Sequence, residues 1–410
     1  MVTIAPFNAL RPRPDLAREL ASPPYDVLNS EEARLAVRNL PHSFLHVTKS
    51  EVDLPPDVHP YSSLVYEKAA ENLRSMRQSG VLIREEKPCY YIYELVMKGR
   101  SQTGLVCLSS VDDYNAGKIK KHEFTRPEKE NDRIAHMRTT GAQTGNVFLA
   151  YENVPSLDQL IRHWKDSHEA MYAFTADDGV RHSIWVVDDI TTQEMITEIF
   201  RTNVPCTYIA DGHHRAASAA KVREGLQKGS SDGADYFLTT LFPASQLEIM
   251  DYNRVVKDLN GLSEGAFISA LQEDFMITLS TEPVHPAQLH EFGMYLKGQW
   301  YILTAKKGTW TDDPIGVLDV TILSQNLLDK VLDIRDQRTD KRIDFVGGIR
   351  GLNELERRVD SGEMAVAFSL YPVSIRQLFD IADSGQVMPP KSTWFEPKLR
   401  DGLLTHLITD

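Results

Sequence analysis

Thr207-Tyr208-Ile209-Ala210-Asp211-Gly212-His213-His214-Arg215-Ala216-Ala217-Ser218-Ala219-Ala220-Lys221-Val222 is the stretch on which the reading of this chain turns. Its first four residues are apolar and strand-like, and Ala216 to Val222 are strong helix formers. Asp211-Gly212-His213-His214-Arg215 therefore sits on a tight strand-to-helix turn. The first N–H groups of such a helix lack intrahelical partners, and with the positive end of the helix dipole they make an anion site. Gly212 lets the backbone bend and come close to a ligand. Arg215 can grip phosphate oxygens with a bidentate fork. His213 and His214 can donate to phosphate or move protons near neutral pH. Asp211 can cap the helix, orient a histidine or help bind magnesium. A transition-metal site suits the pair poorly, because adjacent helical residues point about 100° apart and no HExxH spacing accompanies them.

Outward from this turn, strands and helices alternate. Upstream, Tyr90–Met97, Gly104–Val111 and Gly145–Tyr151 read as strands, and Tyr66–Gln78, Pro155–Asp166 and Thr192–Arg201 as amphipathic helices. Ser43-Phe44-Leu45-His46-Val47 reads as a buried strand. Ser22-Pro23-Pro24-Tyr25-Asp26-Val27 must be extended or turned, because two prolines restrict their neighbours. Downstream, Asp258–Ser263, with Asn260, Gly261 and a candidate N-cap at Ser263, is the expected domain boundary, dividing the chain into 1–258 and 259–410. The later part mixes helices (Ser263–Phe275, Leu318–Leu332, Val373–Ser384) with strands (Trp300–Ala305, Arg342–Val346, Met364–Tyr371). The fold class expected is α/β or α+β.

Two further segments carry chemistry. In Lys120–Arg133, Pro127 suits the first turn of a helix that Thr125 can cap, creating a second helix N-terminus. Before it stand Glu123, a candidate base, and Arg126, a phosphate-type donor. The polar loop Thr139–Asn146 that follows suits a site wall. Met388–Lys398 is held extended by its prolines and reads either as a presented loop or as a clasp with Trp394 and Phe395 buried.

Composition bounds the function. The chain has 410 residues and a formal net charge of −13, which weighs against a broad nucleic-acid footprint. Its three cysteines, Cys89, Cys107 and Cys206, lie too far apart for a zinc motif and suit a reducing compartment. The N-terminus lacks the pattern of a signal peptide, and no apolar run is long enough to span a membrane, so the expected address is the cytoplasm. Apolar faces of this kind are buried equally well within one chain or across a homodimer.

Ser22–Val27, Ser43–Val47, Arg126-Pro127-Glu128, Ala210–Arg215 and Met388–Phe395 occur in the order found in DUF1015, a family of bacterial and archaeal proteins, and the resemblance spans essentially the whole chain. The Asp-Gly-His-His-Arg core also resembles the phosphate motif of the ParB/sulfiredoxin-like fold, whose members include free-serine kinases. That resemblance implies a ParB/sulfiredoxin-like nucleotide-binding core with large insertions, followed by a mixed α/β C-terminal part. It implies a small-molecule kinase that phosphorylates free serine or a similar hydroxyl compound, using ATP or ADP with magnesium. Asp211, Gly212, His213, His214, Arg215 and Arg126 would hold the phosphates, with Asp211 also meeting the metal. Glu123 is taken ahead of Asp26 as the base, with His213 a third catalytic candidate. Tyr25, Lys129, Arg133, Gln143 and Lys391 would wall the substrate. His213 stands where sulfiredoxin has its reactive cysteine, and no helix-turn-helix accompanies the motif as in ParB. The competing functions are a non-catalytic nucleotide or metabolite sensor and a nucleotide hydrolase.

Overall fold

A computed structural model describes residues 1–226 and 232–409. The chain forms two compact units, Met1–Leu247 joined by the chain from Pro397 onward, and Glu248–Glu396. Both mix helices and sheets. The second unit begins at Glu248, before the expected boundary, because strand Tyr252–Val256 pairs with Ile343–Gly347 and Val366–Leu370. Asn260 and Gly261, both with positive φ, make a turn inside this unit and not a linker.

The first unit is organised by a nine-stranded mixed sheet. Its path runs Ile119–Lys120, Thr207–Asp211, Val147–Tyr151, Tyr236–Pro243, Arg100–Ser110, Tyr90–Met97, Arg181–Val187, Tyr172–Thr175, with Ile4–Ala5 also paired to Arg100–Ser110. The hairpin Tyr90–Met97/Arg100–Ser110 closes through Lys98 and Gly99, both at positive φ as a tight hairpin requires. Helix Pro155–Ser167 buries Leu157, Ile161 and Trp164. Helix Ile190–Asn203, capped by Asp189, buries Ile196 and Phe200. Strand Thr207–Asp211 runs parallel to Ile119–Lys120 and antiparallel to Val147–Tyr151. Helix His213–Glu224 follows it, and its alanines lie buried in the same core. Small side chains there admit helix Pro127–Thr140 closely enough for Ser218 Oγ to donate to the Glu130 carbonyl at 3.1 Å.

Three local expectations give way. Leu45–Thr48 is one turn of helix and not a strand, with Phe44, Leu45 and Val47 buried. A short apolar run does not distinguish the two by period, and here Leu45 N–H is drawn to Ser22 Oγ at 3.2 Å. Helix Glu264–Leu271 ends before Phe275, which opens the strand Phe275–Ser280. The stretch expected to be one helix at Leu318–Leu332 is α only at Asp319–Leu323 and then widens to a π-helix at Ser324–Asp329.

The second unit holds a six-stranded antiparallel sheet in the order Phe275–Ser280, Gln299–Ala305, Glu291–Leu296, Val366–Leu370, Tyr252–Val256, Ile343–Gly347. Trp394–Phe395 pairs with Ile249–Met250, so the ends of this unit are clasped together, with Phe395 buried. Among the described residues, no helix is long and apolar enough to cross a membrane.

The return of the chain to the first unit is fixed by backbone bonds. Asp401 N–H donates to the Ser22 carbonyl at 2.8 Å and Ser22 N–H to the Asp401 carbonyl at 3.1 Å. Leu10 and Thr405 exchange a similar pair at 2.9 Å, and His406–Leu407 pairs with Ala142–Gln143. Gly402 stands at φ +88°, and a Cβ there would lie 2.5 Å from Leu20 Cδ2 and 2.6 Å from Phe44 Cβ. Gly402→Ala therefore combines backbone strain with overpacking. It is expected to cost about 2–4 kcal/mol, read as an earlier urea-unfolding midpoint of the first unit. A midpoint equal to wild type contradicts this account of the return.

Candidate functional site

The strand-to-helix turn forms as the sequence suggests. A register shift between Ile209 and Asp211 marks a bulge at the strand's end, and a bulge re-aims the side chain that follows it. Gly212 then takes φ +99° as the N-cap of helix His213–Glu224, without any side-chain cap. Asp211 therefore does not cap the helix. Its Oδ2 lies 3.3 Å from Lys398 Nζ and 3.4 Å from Arg215 Nη2. Burial pushes the Asp211 carboxyl up, but Lys398 and Arg215 outweigh it and hold it well below the usual carboxylate range.

Arg215 is 5% exposed. Its Nη1 donates to the Asn146 carbonyl, while Nε and Nη2 are buried without a hydrogen-bond partner. Two glycines make room for it. A Cβ on Gly212 would lie 3.1 Å from Arg215 Cζ and Nε, and one on Gly145 would lie 3.0 Å from Arg215 Cδ. The first intrahelical bond reaches Gly212 O from Ala216 N–H, at 3.0 Å.

The two histidines point elsewhere. His213 is buried, its ring perpendicular to that of His122 at 4.5 Å, and its Nε2 faces the His122 backbone N–H at 3.4 Å. Burial, reinforced by His122, drives its pKa well below the ordinary value. It is a neutral ring tying down the loop before helix Pro127–Thr140, which does not suit the proton-transfer part expected of it. His214 Nε2 accepts the Arg126 N–H at 3.0 Å, and burial lowers its pKa against the opposing charges of Asp26 and Glu130.

A cavity of about 330 Å³ opens beside these groups, lined in part by Tyr25, Asp26, Tyr61, Lys129, Asp132 and Arg133. The Arg133 guanidinium lies 3.9 Å above the Tyr25 ring and bonds Asp132 Oδ2 through Nε at 2.9 Å. Tyr66 OH donates to Asp132 Oδ1 at 3.0 Å, and Lys129 Nζ to Tyr61 OH at 2.7 Å. Asp26 is exposed on the cavity wall, and its charge acts on both His214 and Arg215. Tyr25, Asp26, Lys129 and Arg133 are thus brought together, next to the motif.

Other expected residues fall differently. Glu123 is half-buried on the loop beside His122. Arg126 is the exposed N-cap of helix Pro127–Thr140; its backbone N–H bonds His214, and its charge acts on the same ring. Thr125 does not cap that helix, because its hydroxyl bonds the Glu130 carboxylate. Gln143 spends its amide on the backbone of strand Tyr236–Pro243, donating to Tyr236 O at 3.2 Å and accepting from Leu238 N–H at 2.7 Å. It braces the sheet and does not wall the site. Lys391 belongs to the second unit, 5.7 Å from the Tyr252 ring. Lys398 meets the motif from the end of the segment Met388–Lys398 and Asn146 from the polar loop expected to wall the site, whereas nothing in its local pattern announces Asp401. Among the described residues, no group of three or more His, Cys, Asp and Glu side chains is arranged to hold a metal ion.

The pairing of Asp211 with Lys398 has a pH signature. A carboxyl held below its unfolded value stabilises the fold above that value, and this stability is lost as pH falls through the folded one. Lys398→Ala is expected to lower Tm by a constant amount from pH 7 to 5, with the gap to wild type narrowing below about pH 4. A gap unchanged down to pH 3 contradicts the pairing.

Among curated proteins there is no significant match. Distant likenesses appear among solved structures. A conserved hypothetical protein from Pyrococcus furiosus aligns at 14% identity over 74% of this chain and 95% of its own, with a TM-score of 0.37. A free serine kinase in complex with AMP aligns at 12% identity over 73% and 92%, with a TM-score of 0.37. SbnI with a C-terminal truncation, from Staphylococcus aureus, aligns at 12% identity over 74% and 87%, with a TM-score of 0.33. The family profile described as "Protein of unknown function (DUF1015)" matches residues 4–321, and the chain belongs to that family.

Proposed function

We propose that the first unit binds ATP or ADP by its phosphates at Asp211–Arg215, and that the protein transfers a phosphoryl group to the hydroxyl of a small molecule held in the neighbouring cavity. The observation that carries this is Arg215, buried on the first turn of a helix with Nε and Nη2 making no hydrogen bond. A buried donor without a partner costs about 1–3 kcal/mol, more when charged. A phosphate would supply the missing acceptors to the guanidinium fork and to the N–H groups of His213, His214 and Arg215.

Magnesium fits less fully. It commonly takes one or two carboxylates together with substrate phosphates, and Asp211 is the carboxylate on this turn, already facing Lys398 and Arg215. Bound there with the phosphates, the ion would neutralise charge that develops on transfer. The chain's own contributions are positioning and electrostatics. Asp26, on the cavity wall and within the field of Arg215, is the carboxylate best supported as the base that accepts the acceptor's hydroxyl proton. Glu123, taken first from the sequence, has less support. The cavity is at the small end of ligand pockets, which suits a compact hydroxyl compound of the free-serine type that the motif implies. A ParB/sulfiredoxin-like core and a cytoplasmic setting, in keeping with free Cys89, Cys107 and Cys206, complete this reading.

Arg215→Ala, checked for an intact fold, is expected to weaken ADP binding by about 100-fold, the loss of a charge-assisted bidentate contact. Asp26→Asn is expected to cut phosphoryl transfer about 10²–10⁴-fold in a hydroxyl-acceptor panel. Unchanged ADP affinity in Arg215→Ala contradicts the assigned site, and unchanged transfer in Asp26→Asn contradicts the assigned base.

A further inference from the structure

The chain's return to the first unit brings a carboxyl group that the reading above does not use. Asp401 is 3% exposed, with its backbone fixed by the paired bonds to Ser22. Groups from four neighbouring elements act on it. Arg215 comes from the motif helix, Asp26 and Tyr25 from the proline-bound turn, Arg133 from helix Pro127–Thr140 and Tyr93 from strand Tyr90–Met97. The Tyr25 backbone N–H donates to the carboxyl, yet Oδ2 is buried with no partner. Asp401 Oδ1 and Arg215 Cδ stand 3.9 and 3.0 Å from where a Cβ on Gly145 would be. The Asp401 carboxyl and the Arg215 side chain thus both approach Gly145, where a larger residue would crowd Arg215.

Charge decides what that acid must do. Arg215, Arg133 and Lys398 face Asp211, Asp132, Asp26 and Asp401. Protonating Asp401 removes one negative charge beside Arg215 and so lowers the repulsion that an arriving phosphate meets. Burial, reinforced by Asp26 and opposed by Arg215, pushes Asp401 up to about 7. An anion arriving at Arg215 raises it further, because a nearby like charge disfavours the ionised form.

Resting on the phosphate-binding reading, we propose that Asp401 is a ligand-binding acid of the phosphate site. When a phosphate docks on Arg215, Asp401 takes one proton from solvent, and its carboxyl O–H donates to a phosphate oxygen. No other bond forms or breaks. The site then accepts the anion together with a proton, so affinity falls as pH rises above the free acid's titration.

Calorimetric titration of ADP into the full-length protein at pH 8.0, in two buffers of different ionisation enthalpy, counts those protons. The terminal phosphate of ADP is itself ionised at that pH. The expected result is uptake of close to one proton per ADP, with affinity falling up to about tenfold per pH unit between 7.5 and 8.5. ADP should also induce a protonated-carboxyl C=O band in infrared difference spectra. In Asp401→Asn, the uptake, the slope and the band should all vanish. Binding without uptake in the wild type, or uptake unchanged in Asp401→Asn, overturns the proposal. If Asp401→Asn fails to fold, the wild-type proton count and the carboxyl band decide alone. Absence of ADP binding at every pH from 6 to 8.5 overturns the nucleotide reading and this proposal with it, a result distinct from binding without uptake.

Discussion

A guanidinium buried at the start of a helix is the constraint around which the first unit is arranged. Taking such a charge out of water costs several kcal/mol unless neighbours compensate, and Arg215 is met by the Asn146 carbonyl, by the off-line carboxylate of Asp211 and by the charges of Asp26 and Asp401. Several separate features keep it there. A bulge turns Asp211 towards it, and Gly212 and Gly145 leave it the space that a methyl group would fill. The alanine-rich face of its helix lets the sheet and helix Pro127–Thr140 close around it.

The histidines of the motif matter through their hydrogen bonds to the chain. His213 and His214 present ring nitrogens to the backbone N–H groups of His122 and Arg126, the latter being the N-cap of helix Pro127–Thr140. Two helix N-termini are thereby tied together, and Lys129, in the first turn of the second, lines the cavity with Asp26. Neutral rings suit this task. A protonated imidazole could no longer accept either N–H, which accounts for burial being allowed to depress both titrations.

How much of this was legible in the sequence follows from the range of the interactions involved. The strand, glycine turn and helix at 207–224 are local, so propensity and turn chemistry suffice for them. The same holds for the turn that the prolines of Ser22–Val27 impose and for helix Pro127–Thr140. Leu45–Thr48 was misread because five apolar-rich residues carry no decisive period, and a tertiary bond from Leu45 N–H to Ser22 Oγ settled the matter. Gln143 looked like a site residue by its polarity, but its amide is needed to satisfy the backbone of strand Tyr236–Pro243. Asp401 is not legible because it reaches the motif through pairings such as Ser22 with Asp401, and Lys398, on a segment that reads as presented, carries no local sign of its pairing with Asp211. No periodicity reports a contact between the two ends of a chain.

The most direct test of the central claim is the position of phosphate in an experimentally determined structure with ADP bound. The account predicts phosphate oxygens within about 3 Å of Arg215 Nε and Nη2, over the N-terminus of helix His213–Glu224. Phosphates lying elsewhere, with those two nitrogens still unpartnered or bonded only within the protein, would contradict it.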